Sequence, residues 1–123
     1  MDNYKLVMPE HLNHFGYLFG GHMLQWIDEI AWIAVNLDFP GMRFVTIAMD
    51  NVVFRESVRE GAILKFETER TKLGRTSVQY GVRVFDVAAE GREVFHISVT
   101  LVRLDAQGRK TPILPETDEP MNR

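Results

Sequence analysis

Asp28 occupies the position of this chain that most demands a chemical explanation. Paired glycines open a helical stretch at Phe19-Gly20-Gly21-His22-Met23-Leu24-Gln25-Trp26, and seven residues past Gly21 stands a carboxylate. At roughly 100° per residue, Leu24, Asp28, Ala31 and Val35 share one side of such a helix. This predicts an aspartate on the inward stripe, with Glu29 pointing away. An ionised carboxylate among apolar side chains needs a partner, a pocket or a chemical task. Its two chemical tasks are general base and nucleophile, and the residues alone leave both open. The helix start complements it. Glycine admits close approach to the backbone, and the first N–H groups of a helix are unpaired at the positive end of its dipole, where they can hold a carbonyl oxygen. The bland alternatives are a structural hydrogen bond for Asp28 and a tight turn for Gly20 and Gly21.

One long helix and a succession of strands must position these groups. Residues 4–8 form a short first strand, and residues 9–18 a turn-rich loop carrying Asn13, His14 and Gly16. Apolar residues recur at helical spacing from Met23 to Val35, and Pro40-Gly41 is a firm stop. The polar arc of the helix is narrow, which predicts burial on more than one side and a central position. From Phe44 the period becomes two. Residues 44–54 are rich in β-branched and aromatic side chains. Residues 62–72 place Leu64, Phe66 and Thr68 on one face, residues 76–87 do so with Val78, Tyr80, Val82 and Val84, and residues 92–104 with Phe95, Ile97, Val99 and Leu101. Turns at Glu60-Gly61, Leu73-Gly74, Glu90-Gly91 and Gln107-Gly108 are short enough for adjacent strands to pair as antiparallel neighbours. The expected class is α+β: an antiparallel sheet of five or six strands curled around one long helix. Residues 1–109 make one domain, and residues 110–123, rich in proline and charge, are expected to be a flexible C-terminal tail.

Composition removes several functions. A chain of 123 residues holds one core and no separate cofactor domain. A formal net charge of -3 leaves no basic stripe for a nucleic acid. The absence of cysteine excludes a disulfide scaffold, a thiolate metal site and a Cys nucleophile, and fits a reducing cytosol. There is no secretory leader pattern and no apolar run of membrane-spanning length, so the expectation is a cytoplasmic protein with no membrane partner. His11, His14 and His22 match no standard metal spacing, and no catalytic metal or organic cofactor is expected.

Asn13-x-x-Gly16-x-x-Phe19-Gly20-Gly21, the Asp28-Glu29 pair and Gly74-Arg75-Thr76-Ser77 at a strand start resemble the hotdog-fold acyl-CoA thioesterases, the group that includes the YciA-type and cytosolic brain-type acyl-CoA hydrolases. The likeness runs from about Leu6 to Leu104. Tyr17, Ser57 and Ala62 depart from the usual pattern at positions that shape turns. The resemblance implies hydrolysis of fatty acyl-CoA to free acid and CoA. Asp28 would be the catalytic carboxylate, Asn13 would face it across a subunit interface, and Gly20 and Gly21 would form the oxyanion hole. It also implies CoA binding at Gly74, Arg75, Thr76 and Ser77, and a homodimer assembling further to a tetramer or hexamer. Phe19, Trp26, Val53 and Phe54 are candidates for an acyl pocket, though such residues are more often plain core. Two alternatives belong to other classes: a non-catalytic acyl-CoA-binding or sensing hotdog protein, and a hotdog hydratase or dehydratase acting on acyl thioesters. The hydratase chemistry wants an acid–base pair with histidine, and no histidine adjoins Asp28 in the helix.

Overall fold

The computed structural model describes residues 1–114, and the outer part of the expected tail, residues 115–123, lies outside them. Five strands and one long helix follow in the order β1 (Asp2–Leu6), α1 (Gly20–Asp38), β2 (Arg43–Phe54), β3 (Ile63–Leu73), β4 (Ser77–Asp86) and β5 (Arg92–Leu104), with a single 3₁₀ turn at Pro9–His11 after β1. They form one antiparallel sheet of order β1-β3-β4-β5-β2. Its inner face carries the side chains that alternation predicted: Leu64, Phe66 and Thr68, Val78 to Val84 at every second position, and Phe95, Ile97, Val99 and Leu101 are all buried. Against them α1 lays Met23, Trp26, Ile27, Ile30, Ala31, Ala34 and Val35. The helix stops where expected, with the Phe39 N–H closing onto Val35 O before Pro40.

Three expectations are corrected. Consecutive strands do not all pair: β2 lies beside β5 and β3 beside β1. Residues 55–62 cross the end of the sheet, bonding to Val94 of β5 at one end and to Val7 at the other. A connection tied to two distant strands cannot also close a hairpin. Nor is the helix covered on several sides. Trp32 and Leu37 are 52% and 68% exposed, because one five-stranded sheet covers only one flank. Finally, residues 110–113 are not tail. The Asp105 carboxylate accepts from the Gln107 and Arg109 N–H groups, closing a turn that returns the chain alongside Leu104. The Thr111 N–H then reaches Arg103 O, the Ile113 N–H reaches Arg75 O, and Ile113 is fully buried.

Candidate active site

Asp28 sits at the margin of the helix's buried arc, exposed rather than turned inward as its spacing predicted. The arc is centred on Met23, Ile27, Ile30 and Ala34, which carries Asp28 just past Val35 to the flank beside β2. There the Thr46 hydroxyl donates to Asp28 Oδ1 at 2.6 Å, the short distance of a charge-assisted bond. Among the described residues nothing donates to Oδ2, which leaves one carboxylate oxygen free for a water or a carbonyl carbon. Gln25, Glu29, Trp32 and Val45 complete an open cleft of about 560 Å³ around the pair. Thr46 was not singled out from the sequence. It lies in an ordinary β-rich run, and only strand register reveals it. Thr46 stands opposite Leu101 and Ala48 opposite Thr100, so Ile47 is an extra residue in β2. Thr46 shares the inner face with buried Phe44 and Leu101, and the bulge that follows shifts the alternation for the rest of β2.

The helix start builds a second cleft. Phe19, the N-cap, offers no side-chain cap, and its N–H is used by His11 O. The Gly20 and Gly21 N–H groups donate to no backbone carbonyl of the described residues, so two donors at the positive end of α1 stay available. The glycines themselves have local reasons. A Cβ on Gly21 would lie 2.6 Å from Phe19 Cε2, so any larger residue there would force the exposed Phe19 ring to swing aside. A Cβ on Gly20 would lie 3.5 Å from the Phe54 ring, an ordinary contact. Asn13, Leu18, Gly20, Met23, Phe54 and Val58 are among the residues lining a cleft of about 440 Å³. Asn13 spends its side-chain oxygen within the loop, accepting from the Phe15 and Tyr17 N–H groups at 2.9 and 3.1 Å. Only its Nδ2 remains for a ligand.

The four acyl-pocket candidates separate. Phe54 lines the cleft. Trp26 is in the core, edge-on to Phe66 and His11, and Val53 pairs with His96 on the opposite face of the sheet. Phe19 is 53% exposed above Gly21. Gly74 to Ser77 form a closed corner in which the Gly74 N–H donates to Ser77 O at 2.8 Å. Ser77 lies in one row with Val102 and Val45, at the Thr46 end of the sheet. Phe54, paired with Phe95, is at the other end, about 25 Å along β2 at roughly 3.3 Å per residue. On α1 itself Asp28 follows the Gly20 and Gly21 amides by eight and seven residues, about 10–12 Å at 1.5 Å per residue, and the two clefts share no lining residue, so within one chain they do not meet.

Charge elsewhere braces the frame. Glu93 accepts from Arg83 Nε and Arg55 Nε, each at 2.7 Å, and lies 3.2 Å from His96 Nδ1. The Arg83 guanidinium above all holds its carboxyl down at about 2. The Arg92 guanidinium reaches Glu56 at 3.1 Å, so residues 55–56, one wall of the amide cleft, are held twice to β5. Buried Tyr80 donates to Asp38 at 2.6 Å, tying the end of α1 to β4, and desolvation first, then this bond, pushes its phenol above its usual range. The described residues hold no group of three or more His, Cys, Asp or Glu placed to bind a metal. His11 and His22 have ring centroids 5.3 Å apart, but His11 Nδ1 is occupied by the Met8 N–H. No described helix is long and apolar enough to cross a membrane.

Residues 15–94 match the family model of the thioesterase superfamily. The chain is 31% identical to the uncharacterized acyl-CoA thioester hydrolase YkhA of Bacillus subtilis, over 92% of this chain and 69% of YkhA. It spans 63% of the length of the Helicobacter pylori VdlD proteins, at 27% identity over 88% of this chain. A hexameric hotdog fold thioesterase of Campylobacter jejuni superposes with a TM-score of 0.78 at 34% identity, covering 91% of this chain and 88% of that one. A Staphylococcus aureus acyl-CoA hydrolase in complex with butyryl coenzyme A gives 0.82 at 27% identity, covering 96% and 75%. The match across most of the folded residues, on this sheet order and this single long helix, shows that the chain belongs to the thioesterase superfamily and has its hotdog fold.

Proposed function

We propose that this protein hydrolyses acyl-CoA thioesters to free acid and CoA, as a homo-oligomer in which each active site is shared between two subunits. The observation that carries the proposal is Asp28, held at Oδ1 by the Thr46 hydroxyl with Oδ2 open, on the flank of a helix beside an unpaired strand edge. Because β2 is an edge, a second copy can add to it antiparallel about a two-fold axis. Such pairing exchanges the ends of the strand, so the Thr46–Asp28 end of one subunit meets the Gly20–Phe54 end of its partner. The thioester oxygen then rests on the Gly20 and Gly21 amides, Asn13 Nδ2 orients the substrate or water, and Asp28 attacks or activates the water that does. The thiolate leaves with little protonation help, and no metal or cofactor is needed. Residues 74–77 are assigned to the CoA phosphates, with the acyl chain in the cleft beside Phe54. The names of YkhA and of the Staphylococcus aureus hydrolase support the substrate class.

Incubation of the purified protein with a panel of acyl-CoAs, following free thiol, tests this. Thiol release above background is expected, with Asp28→Asn lowering kcat at least a hundredfold while the circular dichroism spectrum is unchanged. Near-normal turnover in Asp28→Asn would show that Asp28 is structural. Arg75→Ala is expected to raise KM for acyl-CoA but not for an acyl-pantetheine, which lacks the nucleotide phosphates.

A further inference from the structure

β2 carries a second irregularity, four residues after the first. Asp50 stands opposite Ser98 and Val53 opposite His96, so β2 spends one residue more than β5 over this stretch. Asn51 absorbs the excess at φ 56°, in the left-handed region that asparagine enters more readily than other residues with a Cβ. The insertion reverses the alternation. Without it, Phe54 would share the outer face with Asp50. With it, Phe54 stands opposite fully buried Phe95, the two rings edge to face at 4.6 Å. Its Cε1 and Cζ lie 3.5 Å from where a Gly20 Cβ would sit, and it stays 59% exposed on the cleft side.

We propose that Phe54 limits the length of the acyl chain, and that the left-handed bulge at Asn51 is the positioning element that keeps it there. The inference rests on the hydrolase reading. With the thioester oxygen on the Gly20 and Gly21 amides, an acyl chain running between Leu18, Met23 and Val58 meets the Phe54 ring shortly beyond the carbonyl carbon. The ring occupies the apolar volume that further methylenes would need. The favoured substrates are therefore short-chain acyl-CoAs, and the limit is a removable side chain rather than the backbone.

The test compares kcat/KM for butyryl-CoA and decanoyl-CoA in the intact oligomer. Each methylene newly buried is worth about fourfold, so Phe54→Ala should move the ratio toward decanoyl-CoA by about tenfold or more, and Phe54→Leu by less. Asn51→Gly, which keeps the left-handed backbone, should retain the wild-type ratio. Asn51→Val, whose branched side chain resists that conformation, should shift it as Phe54→Ala does. If both Phe54 variants remain folded and lose rate equally on the two substrates, or leave the ratio unmoved, Phe54 does not set chain length. A folded Asn51→Val with the wild-type ratio overturns the positioning role. Wild-type protein that releases no thiol from either substrate overturns the hydrolase reading and this inference with it, whereas an active wild type with unmoved ratios overturns the inference alone.

Discussion

The contact between Thr46 and Asp28 changes what kind of residue Asp28 is. Asp28 is exposed and receives one short hydrogen bond from the Thr46 hydroxyl, which orients its carboxylate. A hydrogen bond to a charged group is worth about 1.5–3 kcal/mol. If that contact orients Asp28 in the transition state, Thr46→Val should lower kcat about tenfold to a hundredfold with KM nearly unchanged, and Thr46→Ser should restore most of it. Steady-state kinetics on the best acyl-CoA from the panel check both. Asp28, Gly20 and Gly21 stood out as candidates from type and spacing, because a carboxylate on a mostly apolar helix and a glycine pair at its start are local signals, but spacing placed Asp28 inward and the structure places it on an exposed flank. Thr46 was not, since nothing in its neighbourhood distinguishes it until Leu101 is known to lie opposite. Asn13 is legible only in part: two loop N–H groups account for its oxygen, as a turn residue would.

At the scale of elements, the frame around the clefts is held by a few polar fastenings. Tyr80–Asp38 ties the C-terminal end of α1 to β4. Tyr80→Phe removes one hydrogen bond to a carboxylate without opening a cavity and should cost about 1.5–3 kcal/mol, measured by urea unfolding at pH 7. The phenol is held protonated in the folded state, so this contribution is full below pH 10 and fades as pH rises above it. Glu93 behaves in the opposite sense. Its folded carboxyl titrates at about 2 against an ordinary 4.5, so the stability it lends is complete above about pH 4.5 and is lost as pH falls toward 2. The gap in melting temperature between wild type and Glu93→Gln should accordingly be widest near neutrality and close between those two values. β2 is the element that sequence described least well. Its burial does not alternate, because two bulges reset the phase, once before Ala48 and once after Asp50. β4 alternates from Val78 to Val84, and β5 from Phe95 to Leu101, where their pairing has no register shift.

For the whole molecule, the decisive fact is that the two clefts lie at opposite ends of β2. A single chain also leaves Trp32 and Val45 exposed in the cleft that carries Asp28, and Ile47 exposed on β2 beside it. This is apolar surface of the kind that marks an interface. Ile47→Lys should weaken edge pairing, since a charge on an edge strand opposes addition of another strand. The expected result is a smaller species by light scattering, with native circular dichroism and at least tenfold lower activity. A monomer as active as the wild type would refute the shared site. By itself, the sequence determined the single helix and its stop, four of the five strands to within a residue or so, the inner residues of β3, β4 and β5, and the resemblance that named the chemistry. These follow from periodicity and turn residues, which are properties of neighbours along the chain. Only the tertiary structure decided that β2 lies beside β5, that Asp28 is on an open flank with Thr46, that residues 110–113 return to the core, and that Phe54 rather than Val53 or Trp26 faces the cleft. Those outcomes depend on which strands meet and in what register, and register is set by contacts between residues far apart in sequence, where one inserted residue exchanges inside for outside.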